Sequence, residues 1–375
     1  MQNRREFIRH IGTAAAGAMV AGSGLMAGCR RGEQVPRRQV IVGGQRIRTI
    51  DVHTHCYVLE VLPLLQDVPW AEQVKAAERA DRGVRITPDI IGPERVRFMD
   101  EHGVDVQALS INGYWYAAER GLATKLIAVQ NEALAGACAR YPGRFAGFAT
   151  VALQYPDLAA QQLEEAMTKF NMPGVSLNGN VAGEELSSPR FDPFWAKVQE
   201  LEAFVFIHPQ GESGGFEGGA SYPAGTLERF QGVNTIHHPL ETTVALTHLI
   251  FEGTLDKFPG LRICGAHGAG FLPAYIGRSD ATCDRPGQKC APLKKEPSDY
   301  FREQLFCDSL VFNAEELRHR VEMYGAKQVV FGTDHPAPWP TKGVDDVLDA
   351  PLSDEDKIAI LGGNLATLLK IPAEA

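Results

Sequence analysis

No two cysteines of this 375-residue chain stand in a CxxC spacing, although there are seven of them, so a structural zinc site built on cysteine pairs is excluded. A basic stripe is missing as well: the formal net charge is -9 and the pI about 5.7. Such a chain offers phosphate backbones no electrostatic footprint, which argues against nucleic acid as a partner. Neither a linker-like composition shift nor an internal repeat divides the chain, and its 44% hydrophobic content can bury one large core. One α/β domain is expected over residues 45–375.

Residues 1–40 stand apart from that domain. Arg4-Arg5-Glu6-Phe7-Ile8 is a twin-arginine pattern, followed by "IGTAAAGAMVAGSGLMAG" and Cys29. The apolar stretch is too short and too rich in Gly and Ala for a permanent membrane span, and reads as a cleaved export signal. "Leu25-Met26-Ala27-Gly28-Cys29" resembles a lipoprotein processing box with Met26 out of pattern, so the mature protein is expected to be periplasmic or anchored through a lipid on Cys29. Cys283 and Cys290 share the loop-like segment "ATCDRPGQKC"; an oxidising compartment permits them to pair, but free thiols are the expected state.

What the chain does have is a series of apolar, β-rich runs. They are "IRTIDVH" (47–53), "VDVQALSIN" (104–112), "RFAGFATV" (144–151), "PGVSL" (173–177), "AFVFIHP" (203–209), "LRICGAH" (261–267), "QLFCDSL" (304–310) and "QVVFGTD" (328–334). Amphipathic segments lie between them, among them 125–141, 159–170 and 194–202. Strands alternating with helices imply parallel crossovers, and eight repeats predict a (β/α)8 TIM barrel, with an open doubly wound sheet as the alternative. Long insertions at 57–103, 210–245 and 268–303 are expected to cap the C-terminal face.

Side chains able to bind a metal cluster at the ends of these runs. His53 and His55 in "DVHTH" are two residues apart, hence on one face of a strand and able to close on one cation. His208, His267 and Asp334 each close another run just before Gly or Pro. In a barrel the carboxyl ends of the strands carry the active site, so all five converge there.

In these residues and in "MDEHGVDVQALS", "YPGRFAGFATV", "FDPFWAKVQELEAFVFIHP", "PLETTVALTHLIFEGTLDKFPGLRICGAHGAG", "VVFGTDHP" and "GNLATLLKI", the chain resembles the amidohydrolase superfamily, in the branch typified by aminocarboxymuconate-semialdehyde decarboxylase. The resemblance implies one divalent metal ion, zinc with manganese as the alternative, held by His53, His55, His208 and Asp334. Strand 4, "MPGVSLNGN", lacks the lysine that binuclear members carboxylate, which favours a single ion. His267 is implied as the acid or base beside the metal, a role suited to an imidazole that titrates near neutrality. Asp334 is either a ligand or an outer partner orienting His55.

The branch also implies a homodimer in which Arg278, eleven residues after His267, reaches across to a substrate carboxylate; otherwise it is a surface salt-bridge residue. Arg85 or Arg82 is the nearest counterpart of a second substrate arginine. Trp115, in Tyr114-Trp115-Tyr116, either stacks on an aromatic substrate or packs the barrel mouth. His237-His238-Pro239 reads as a solvated turn, and Asp308 on strand 7 is an open candidate for the pocket lining. The expected activity is non-oxidative decarboxylation of a small unsaturated or aromatic carboxylic acid, with hydrolysis of a lactone, amide or ester as the alternative.

Overall fold

All eight apolar runs form strands, because each is buried on both faces: inside by the barrel interior, outside by the helices. The computed structural model describes residues 36–71, 75, 91–210, 232–285, 290 and 293–372. The twin-arginine leader, Cys29, Arg82 and Arg85 lie outside them. In chain order the strands are β1 (Ile50–His55), β2 (Val106–Ser110), β3 (Phe145–Gly147), β4 (Gly174–Asn178), β5 (Phe204–His208), β6 (Arg262–Gly265), β7 (Leu305–Asp308) and β8 (Val329–Val330).

Every neighbouring pair among them is parallel. Full ladders join β1 to β3 as one sheet and β4 to β8 as another. The two sheets meet at both seams through single bridges, Ala149 with Val175 and Thr54 with His335. Backbone bonds reinforce the second seam: Val52 N–H donates to Phe331 O, Asp334 N–H to His53 O and His55 N–H to His335 O. Strands succeed one another around a ring in sequence order, the expected α/β TIM barrel.

Alternation along the strands sends Ile50, Val52, Val106, Ala108, Phe204 and Phe206 into the barrel interior. Phe148 stacks at 6.1 Å on both Phe204 and Phe206, and Phe204 meets Phe306 edge-on at 5.9 Å. Each such ring contributes roughly 1.5–3 kcal/mol by leaving water. Phe206 lies directly against the His53 ring, at 5.1 Å, so the apolar plug ends where the polar centre begins. The outer layer follows the expected periodicity: helices occupy Arg120–Arg140, Pro156–Lys169 and Asp192–Glu200. The first is capped by the Glu119 carboxylate, which accepts from Gly121 N–H and Leu122 N–H. The other two open with Pro within the first two positions, where its missing N–H costs nothing.

The structure corrects three expectations. The domain begins at Pro36 rather than 45, since Val40–Val42 and Gln45–Ile47 form an antiparallel hairpin with Val40, Val42 and Ile47 buried. Its turn is Gly43-Gly44, both at positive φ, as a two-residue hairpin loop demands. Arg37 and Arg38 tie it down by ion pairs to Asp105 and Asp345. The eighth strand stops at Val330, four residues before Asp334, because Phe331 N–H turns away to donate to Ile360 O. Finally, Cys283 and Cys290 are paired as a disulfide, whereas Cys56, Cys138, Cys264 and Cys307 form none among the described residues.

Candidate metal centre

β1 delivers two imidazoles to one point. His53 is fully buried and His55 slightly exposed, with ring centroids 5.1 Å apart. The parallel register sets His55 opposite Ser110 of β2, and Ser110 Oγ lies 3.1 Å from His55 Nδ1. That hydroxyl donates its own proton to Thr54 O, so it accepts from Nδ1–H of His55 and leaves Nε2 unprotonated. Asp308, the last residue of β7, does the same for His53: its Oδ2 accepts from Nδ1 at 2.6 Å. In both rings the nitrogen carrying the lone pair lies near the Asp334 carboxylate.

His208 ends β5, its ring 4.4 Å from that of His55 and 5.0 Å from that of His53. His267 and Asp334 are not strand residues. Each sits in the left-handed region, at φ 56° and 61°, a conformation that a non-glycine residue keeps only where its surroundings enforce it. For His267 the enforcing group is Asp308 again, whose carboxylate accepts from His267 N–H at 3.0 Å and Gly268 N–H at 2.6 Å. For Asp334 it is the seam bond to His53 O, at 2.8 Å. Gly332 makes the junction possible: a Cβ there would stand 2.9 Å from the Cβ atoms of both His53 and Asp308.

One ligand atom each from His53, His208, His267 and Asp334 falls within 4.8 Å of all the others. Asp334 Oδ1 is also 3.0 Å from His55 Nε2 and 3.2 Å from His53 Nε2. These contacts are close but misaligned for hydrogen bonds, and the buried Nε2 atoms of His53 and His55 and both nitrogens of His208 find no hydrogen-bond partner among the described residues. Lone pairs gathered around a common point without bonding one another fit a metal ion.

Electrostatics agree. Burial lowers the pKa of His55 and His208, keeping them neutral as ligands must be. Burial opposes charge on His53 as well, but Asp334 and Asp308 outweigh it and push His53 up to about 10, marking this as a place where positive charge is favoured. Burial also disfavours charge on Asp334, yet His53 and its neighbours hold that carboxyl well below its usual range. The chain thus contains a His/Asp site for a metal ion. Ser110 holds His55 and Asp308 holds His53 from behind, each at Nδ1.

A cleft of about 290 Å³ opens onto this centre, lined by His55, His208, His267 and Asp334 together with Asn112, His238 and Trp339. His238 is the first residue of the helix His238–Phe251 and stacks on His267 with centroids 6.0 Å apart, so it belongs to the cleft wall and not to a solvated turn. Burial brings its pKa down to about 4. Trp339 donates its indole N–H to Asp334 Oδ2 at 2.6 Å. Trp115, in contrast, is buried and donates to Val151 O; it packs the barrel mouth and does not line the cleft. Arg278 is exposed on the helix Leu272–Cys283, away from the cleft lining.

A closed ring of parallel strands with a histidine-rich metal site at its carboxyl ends defines a metal-dependent enzyme of the barrel class. Residues 50–371 match the Amidohydrolase family, and the chain belongs to it. The 2-amino-3-carboxymuconate-6-semialdehyde decarboxylase of Dictyostelium discoideum is 30% identical over 291 residues, covering 75% of this chain and 76% of the relative. Among solved structures, 5-carboxyvanillate decarboxylase from Sphingomonas paucimobilis aligns with a TM-score of 0.74 at 26% identity, over 87% of this chain and all of that one. A dihydroxybenzoic acid decarboxylase from Polaromonas sp. JS666, with bound manganese and the inhibitor 2-nitroresorcinol, aligns with a TM-score of 0.69 at 25% identity, over 86% of this chain and 97% of that one. The branch expected from the sequence motifs is thereby found.

Proposed function

We propose that this enzyme is a non-oxidative decarboxylase of a small aromatic or unsaturated carboxylic acid. The observation that carries the reading is a histidine, His267, held at the rim of a His/Asp metal site by a backbone turn, in a family branch whose relatives bear decarboxylase names. A divalent ion bound by His53, His55, His208 and Asp334 supplies a positive centre that orients the acid and polarises one of its oxygens. His267 lines the cleft beside it and is placed to give a proton to the carbon that loses carbon dioxide. The carbon–carbon bond breaks with its electron pair left on the ring carbon, that pair becomes a C–H bond, and His267 is reprotonated from solvent. Neither oxidant nor reductant is needed.

The donor set of imidazoles and one carboxylate suits zinc, and the manganese named for the Polaromonas relative makes that ion the second candidate; metal analysis of purified protein separates them. Arg278 is assigned to the substrate carboxylate across a homodimer interface. Phe271, Tyr275 and Arg278 lie four and three residues apart on one exposed helix face, with Phe271 39% and Tyr275 66% accessible, an apolar strip that a second copy would cover. The leader supports twin-arginine export, and its segment ending at Cys29 supports a lipid there; mass analysis of the mature N-terminus tests both.

The test is incubation of the metal-loaded protein with 2,6-dihydroxybenzoate, 5-carboxyvanillate and a panel of lactones and esters, with carbon dioxide and acid release followed separately. Metal-dependent release of carbon dioxide that vanishes in His267→Ala supports the proposal. Acid release from a lactone or ester with no carbon dioxide from any carboxylic acid refutes it in favour of hydrolysis.

A further inference from the structure

We infer that Trp339 is a positioning residue for Asp334 and an aromatic wall of the cleft, which Phe312, packed against it just outside the lining, extends. Asp334 divides its two oxygens: Oδ1 faces His53 Nε2 and His55 Nε2 at 3.2 and 3.0 Å, whereas Oδ2 accepts the Trp339 indole N–H at 2.6 Å. A carboxylate with one oxygen committed in this way offers only the other to an ion, which leaves room at the centre for a substrate oxygen. The indole returns to a side chain five residues upstream because the intervening chain is folded tightly: Ala337 N–H donates to Asp334 O and Trp339 N–H to Ala337 O, and Pro338 and Pro340 restrict the backbone on either side.

The ring has a second use. Trp339 lines the cleft, half-buried, and Phe312 packs beside it with centroids 5.4 Å apart. Phe312 is 53% exposed and sits at φ 56°, an unfavourable backbone for a bulky residue that keeps an apolar ring in solvent. Exposed faces of this kind suit a planar ligand, and a flat aromatic acid is the class they would take. This ligand assignment rests on the decarboxylase reading; the positioning role does not.

Two variants of the full chain test it. Trp339→Phe keeps a ring of similar shape and removes the N–H, and Phe312→Ala removes only the neighbouring ring. Manganese and zinc dissociation constants are measured by competition with a chromogenic chelator, after circular dichroism melting has confirmed folding. Trp339→Phe is expected to weaken metal binding by at least about tenfold, the usual effect of removing a partner behind a ligand, with Phe312→Ala unchanged. In turnover of 2,6-dihydroxybenzoate, Phe312→Ala is expected to raise KM severalfold at constant kcat. Wild-type metal affinity in a folded Trp339→Phe overturns the positioning role, and an unchanged KM in Phe312→Ala overturns the wall. A wild-type protein that binds metal but releases no carbon dioxide refutes the decarboxylase reading while leaving the affinity result to stand.

Discussion

Asp308→Asn is the substitution that isolates how this centre is built. The Asp308 carboxylate is fully buried and accepts four bonds: from His53 Nδ1 at 2.6 Å, Gly268 N at 2.6 Å, His267 N at 3.0 Å and Leu310 N at 3.2 Å. An asparagine has the same shape but one acceptor oxygen and one NH2. If the oxygen takes the place of Oδ1, it keeps Gly268 N–H and Leu310 N–H, and the NH2 faces His267 N–H, which loses its acceptor, and His53 Nδ1, which must then become an acceptor. The His53 proton moves to Nε2, the atom that faces the metal site, and a protonated nitrogen cannot ligate. If the amide flips, two backbone N–H groups lose their partner, at about 1–3 kcal/mol for each buried donor left unsatisfied. Either way, one charge-assisted bond worth about 1.5–3 kcal/mol is lost. We expect a folded variant destabilised by roughly 2–4 kcal/mol, with metal affinity reduced about 10- to 100-fold. Denaturant unfolding of the metal-free protein measures the first, and chelator competition the second. Metal affinity within twofold of wild type would refute the reasoning, because His53 would then not depend on Asp308 for its tautomer.

Further expectations follow from the same geometry. His267→Ala should retain bound metal and lose turnover, whereas Asp334→Ala should lose both; equal metal loss in the two, read by elemental analysis, would make His267 a ligand. Gly332→Ala brings a methyl within 2.9 Å of two Cβ atoms, so it should cost roughly 1–3 kcal/mol of stability and weaken metal binding as His53 and Asp308 are forced apart. Arg38, by hydrogen bonding and attraction, holds the Asp345 carboxyl below its usual range. The stability from this pair is therefore complete above the unfolded carboxyl value of about 4 and fades as pH falls through the lower folded value. With both side chains over a third exposed, Arg38→Ala should remove well under ~1 kcal/mol at neutral pH after screening, and flatten the acid limb of a stability profile.

The sequence made the strands legible because parallel strands buried on both faces must be written in apolar residues, and His53, His55 and His208 legible because they end such runs. It hid the backbone that carries His267 and Asp334, since a left-handed residue that is not glycine leaves no mark in composition; both end apolar runs and so look like strand ends. Trp115 was readable as a stacking residue only because aromatic side chains near strand ends serve packing and binding alike, and here its N–H is taken by Val151 O. Trp339 had no signal at all, its role depending on a turn that brings an indole back five residues. The hairpin over residues 40–47 is written in "VIVGGQRI", which alternates around Gly-Gly, but its place directly after the leader hides the domain boundary in the sequence. Asp308 is legible on strand 7 only as an open candidate for the pocket lining; its support of His53 and of the His267 turn shows only once β6 and β7 pair.

One carboxylate serving two histidines has a consequence for how the site can be dissected. Asp308 fixes the ring of His53, a proposed ligand, and the turn bearing His267, the proposed proton donor, so metal affinity and proton transfer share a mechanical support. Substitutions at Asp308 and at either histidine should therefore be non-additive, since residues in one hydrogen-bond network couple by about 0.5–3 kcal/mol. Ser110 and Trp339, which hold His55 and Asp334 separately, have no shared partner with Asp308 among the described residues. Their effects on metal affinity should differ from those of Asp308 in leaving the His267 turn in place: kcat at saturating metal falls when Asp308 is changed, and is largely restored by metal when Ser110 or Trp339 is. Ser110 and Trp339 are outer partners whose loss metal can offset, whereas Asp308 concentrates two functions on β7, and that is where the centre is most easily broken.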